Sequence, residues 1–238
     1  SAAQVSAKLS AAPSTPPGTF ASIANGSKVT TTDGGGDIKV NAVEDVEVNL
    51  LTGGAAGGAV GAGAGISVVT IASNVSASAG GTLSAGGVLK LSSTLDEDID
   101  IKSFAGGVGF VGLGAAVAVL NDSSTVSAGI ANGATVLKAS AIDIDAVTRQ
   151  TIDVFAPQVT AGAGAIGASF VKISVDNTDA DETRAYVGDN AQIGQGVGTV
   201  GGLNMNAEST IDVTGEAFGV SVGAIAGSIN FAFVDVTP

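Results

Sequence analysis

The chain has 238 residues, 36 of them Gly, with no Cys, His or Trp and a formal net charge of −13. The absence of His and Cys excludes a Ser–His–Asp triad, a Cys nucleophile and the usual zinc sites. An acidic chain with nine Lys and Arg is a poor partner for phosphate backbones, so no nucleic-acid partner is expected. Apolar residues make up 45% but aromatic residues only 4%, which points to thin layers of small side chains with closely approaching backbones.

In chain order, residues 1–20 read as a linker or cap strand, carrying Pro13, Pro16 and Pro17. The start at Ser1, without Met, is compatible with a removed leader or an excised fragment. From residue 21 to 238 the chain reads as one array of four imperfect repeats of about 55 residues, 21–75, 76–128, 129–185 and 186–238. Each opens on a short anchor: Ile23–Val29, Ala77–Leu83, Ile130–Val136 and Val187–Ile193. Next comes an alternating segment with an acidic end, starting at Ile38, Leu89, Ile142 and Leu203. A Gly-rich block follows, from Gly53, Gly106, Thr160 and Phe218, and then an apolar segment from Ile66, Ala116, Ser169 and Ile229.

Alternation with period two, as in Val171-Lys-Ile-Ser-Val-Asp, predicts strands with one face in and one out. Asn25-Gly26, Asp33-Gly34 and Asn132-Gly133 punctuate them as turns. Leu50–Ser73 and Ser103–Leu120 are uncharged and long, but their Gly and β-branched content and their recurrence at one phase argue against membrane insertion. The Gly-rich blocks predict flat strand faces that let two layers come close. Gly164 is placed on such a face, so Gly164→Val is expected to do far more harm than Ser140→Val. No following helix or GK[ST] supports a phosphate cradle.

One unit of this size cannot cover its own sheet faces, so neighbouring copies must stabilise one another. The expected fold is therefore all-β, a β-solenoid (β-helix) of about four Gly-rich repeats. An array ending on open strand edges is either a slice of a longer one or associates end to end. The expected partners are thus further copies or the flanking repeats of a longer chain, with a surface or glycan as target.

The succession I-A-N-G-A-T-V, a D-I-D-V-type strand, A-G-A-G-A-I-G-A and S-F-V-K-I-S-V-D-N resembles the repeats of giant bacterial filamentous adhesins. The leukotoxin-A-like and haemagglutinin-type exoproteins are such adhesins. The resemblance covers about residues 21–238. It implies an extracellular or cell-surface rod or fibre serving cell adhesion and biofilm, with no catalytic residues.

Carboxylates cluster at Asp96, Asp98 and Asp100 and at Asp176, Asp179, Asp181 and Glu182. Hard oxygen ligands in these runs make them the candidate calcium sites; the bland reading is a solvated acidic face, and no other cofactor is expected. A polysaccharide-acting enzyme is disfavoured by the single Tyr and the two Arg, Arg149 and Arg184, and an ice-binding face by the lack of a recurring Thr register. The function expected from the sequence is structural: a stiff acidic rod in a surface fibre or adhesin, or a self-assembling sheath filament.

Overall fold

The computed structural model describes residues 18–31, 35–176, 183–195 and 198–237. Of the expected linker, residues 1–17 fall outside this set. Every regular element among the described residues is a strand: β1 (Thr19–Ile23), β2 (Lys28–Thr30), β3 (Ile38–Ile71), β4 (Asn74–Ala79), β5 (Thr82–Ser84), β6 (Val88–Asp122), β7 (Thr125–Ile130), β8 (Thr135–Lys138), β9 (Ala141–Ala161), β10 (Gly164–Asp176), β11 (Thr183–Val187), β12 (Gln192–Ile193), β13 (Leu203–Val222) and β14 (Ile225–Thr237).

All the pairings are parallel. Two four-stranded sheets run β1-β4-β7-β11 and β2-β5-β8-β12. The large sheet runs β13-β9-β6-β10-β14, with β3 also on β6. Equivalent blocks lie side by side: Ile38 pairs with Leu89, Leu89 with Ile142 and Ile142 with Leu203. The second anchor is displaced from its sequence alignment. Ile23 faces Ala79, not Ala77, while Val29 still faces Leu83, because the Gly80-Gly81 turn is two residues shorter than its counterpart.

The expected β-solenoid is overturned by the shape of the large sheet. It curls into a nearly closed, barrel-like layer instead of a stack of clear coils. The reason lies in the Gly-rich blocks. β3 and β6 do not stop there but run on for 34 and 35 residues, bending back so that their two arms face each other. Gly58, at φ 149°, takes a conformation that disfavours a side chain, at the bend of β3. The arms then close tightly: a Cβ on Gly63 would stand 2.1 Å from the Gly106 carbonyl oxygen and 2.4 Å from that of Gly54. Gly164 is not part of this contact, since a Cβ there meets nothing within 4 Å, and the expectation placed on it is corrected accordingly.

Farther from the bend the two arms hold an apolar cluster built on Ile99, Ile101, Leu120, Ile152 and Ile173. A second cluster packs Leu89, Leu91, Leu95, Ile142 and Ile144, at the start of the first arm, against Val75, Leu83, Val126 and Val136 of the two small sheets. The two long uncharged stretches lie in β3 and β6 and the short connections that follow β3. No helix among the described residues is long and apolar enough to cross a membrane.

Candidate functional site

Strand phase explains the principal polar cluster. In β6 the inward positions are Leu89, Leu91, Ser93, Leu95, Glu97, Ile99 and Ile101, so Glu97 occupies a core position. Asp122 ends the inward series Ala116, Ala118, Leu120 of the returning arm, and Gln150 lies in the inward series of β9. Glu97 is 3% exposed and Asp122 2%. Gln150 pairs with Glu97 in the ladder, and its Nε2 donates to Glu97 Oε2 at 2.7 Å and also to Asp122 Oδ2. Ser124 Oγ lies 2.9 Å from Glu97 Oε1 and 2.7 Å from Asp122 Oδ1. The Ser73 N–H donates to Ser124 Oγ at 3.2 Å, and Ser73 Oγ donates to Glu44 Oε1 at 2.7 Å. This layer separates the two apolar clusters.

Burial pushes the Glu97 carboxyl up to about 7, and the neighbouring Asp122 carboxylate pushes in the same direction. Ser124 has one hydroxyl proton but two carboxyl oxygens within reach. Ser124 Oγ can donate to Glu97 Oε1 or to Asp122 Oδ1, and a proton on Glu97 removes the like charge it would otherwise present to Asp122. Glu97 thus holds a proton inside the fold more readily than a free carboxyl does.

A second buried polar side chain, Gln158 of β9, lies in a slot formed by glycines. A Cβ on Gly167 would be 2.1 Å from its Nε2, and one on Gly219 would be 2.6 Å away. Neither amide atom of Gln158 has a hydrogen-bond partner. Near the bend, Thr52 Oγ1, Ser67 Oγ and Ser103 Oγ join the arms by hydroxyl contacts of 2.7 and 3.0 Å from Thr52.

The candidate calcium residues are placed differently. Asp96, Asp98 and Asp100 share the outward face of β6 at alternate positions. Asp96 accepts from Arg149 at 3.2 Å, and Asp100 pairs with Lys102. Asp176 ends β10, while Asp179, Asp181 and Glu182 lie outside the described residues. Among the described residues no group of three or more carboxylates converges as a metal would require. The inward cluster escaped the sequence reading because Asp96, Glu97 and Asp98 form one acidic run. The available signal was phase, which puts Glu97 with Leu95 and Ile99 and leaves its neighbours outside.

All three sheets terminate on the same two faces. Among the described residues β1, β2 and β3 each pair on one side only, and so do β11, β12, β13 and β14. Ile66 and Val68 lie along the first edge, and Phe231 and Phe233 along the last. No family model, curated protein or solved structure matches the chain, and so nothing in these comparisons links it to the adhesin repeats its sequence resembles.

Proposed function

We propose that this chain is a structural, non-catalytic component of an extracellular bacterial fibre or filamentous adhesin. The observation that carries this reading is the in-register pairing of Ile38, Leu89, Ile142 and Leu203. Equivalent segments from successive parts of the chain form one continuous ladder, so stability is shared over many backbone bonds between neighbours. Such a ladder resists extension without needing a thick core. The outward acidic residues Glu47, Asp98, Asp100 and Asp153 give it a charged exterior. The repeat resemblance supports the same role.

Immunogold labelling of intact cells and their medium, using antibody to the purified chain, tests this reading. Label on surface fibres or in shed material is the expected result. Label confined to the cytoplasm of permeabilised cells overturns it.

A further inference from the structure

We infer that the two faces left unpaired among the described residues pair with each other, so that a second copy of this chain docks β3 against β13 and β14 in parallel register. This inference rests on the structural reading above and names its partner.

Bonded positions are separated by 51 residues between β3 and β6, by 53 between β6 and β9, and by 61 between β9 and β13. The second arm keeps the same offsets: Val60 pairs with Val111, Val111 with Gly164 and Gly164 with Ile225. The two arms of the last face are therefore spaced like the two arms of the first. A second copy that sets its Ile38 on Leu203 also brings its Ile71 to Val236, with no insertion between them. The anchors agree, because Val187 and Ile193 stand as far apart in sequence as Ile23 and Val29. All three sheets would continue together.

Side-chain exposure supports the same pairing. One outward row of the second arm reads Ile66, Val117, Phe170, Phe231 across the ladder, and the next reads Val68, Val119, Lys172, Phe233. Within these rows Val117 and Phe170 are half-buried by their neighbours. Ile66 is 65% exposed and Phe231 53%, because each lacks a neighbour on one side. Docking supplies it, placing Ile66 of one copy on Phe231 of the other. The docked first arm would set Glu47 beside Asp212, a like-charge contact that the chain already tolerates between Glu47 and Asp98. Association should therefore strengthen with salt.

Cysteine cross-linking reads the register directly, since the full chain has no Cys of its own. In register, Asn41 of one copy faces Asn206 of another, and Thr70 faces Asp235. Neighbouring strands stand about 4.8 Å apart, within the span of roughly 4.4–6.8 Å that a disulfide bridges. Equimolar N41C with N206C, and T70C with D235C, should form linked dimers on mild oxidation. Yield should exceed that of N41C with D212C, displaced by roughly 20 Å, by about tenfold or more. Equal yields for matched and displaced pairs, or linkage in only one arm, overturn the proposal. The unsubstituted chain gives an independent reading by sedimentation. Growth beyond monomer from micromolar to millimolar concentration, enhanced by salt, is expected, and a monomer throughout overturns the inference. Failed cross-linking with surface labelling intact retires edge pairing alone. Cross-linking of a chain that labelling confines to the cytoplasm retires the fibre reading alone.

Discussion

Glu97 and Gln150 stand side by side on neighbouring parallel strands, with Gln150 Nε2 2.7 Å from Glu97 Oε2 inside the fold. A carboxyl group in that position binds its proton more tightly in the folded chain than in the unfolded one. Its ordinary value of 4.5 rises to about 7. The associated stability is fully present below pH 4.5 and is lost as pH rises through about 7. Thermal melts between pH 4.5 and 8 should show this decline, about 3 kcal/mol for this group. Glu97→Gln, which keeps the shape and removes the charge, should flatten that part of the profile. An unchanged slope in the variant would assign the pH dependence to other groups.

The close approach of the arms near the bend predicts a sharp contrast between glycines. Gly63→Ala drives a methyl group into the Gly106 and Gly54 carbonyl oxygens and should cost about 2 kcal/mol or more. Gly164→Ala enters open space and should shift stability by no more than about 0.5 kcal/mol. Denaturant melts of the two variants check this, and equal midpoints would contradict the geometry at Gly63.

Gln158 brings two unpartnered amide atoms into a slot between glycines. Gln158→Met retains the length and flexibility of the side chain while removing those atoms. It should raise stability by about 1 kcal/mol. A lower midpoint in urea would show that the amide is satisfied in solution.

Acidic residues sit opposite one another along the outward ladders, as in Asp45 beside Asp96, Glu47 beside Asp98 and Asp100 beside Asp153. Like charges opposed across strands destabilise a sheet, and salt screens them. The melting temperature should therefore climb between low ionic strength and about 0.5 M salt, where the screening length is only a few ångströms. Arg149→Gln should have little effect, since its bond to Asp96 is solvent-exposed and worth about 0.5 kcal/mol or less.

Strand identity was legible in the sequence wherever alternation was clean. The segments from Ile38, Leu89, Ile142 and Leu203 fall into register as their shared pattern suggests. Four features were not legible, each for a physical reason. The displacement from Ala77 to Ala79 arises in a turn, where length varies without changing either flanking strand. The curl of the large sheet depends on whether a Gly-rich segment bends or breaks a strand, and composition is the same in both cases. Glu97 was hidden because charge runs read as surface unless phase is followed through them, position by position. Gly164 and Gly63 occupy similar small-residue contexts, and only the placement of the opposite arm separates an open position from a crowded one.

The constancy of each ladder offset through both arms bears on how such a chain can vary. Loss or gain of one residue within an arm would turn every later side chain of that arm from core to solvent, so single-codon slippage there should be purged. Recombination between copies is different, because exchanging one whole unit for another returns each inward side chain to an inward place. A chain built this way can lengthen or shorten by complete units while its inward and outward faces and its two edges keep their phase.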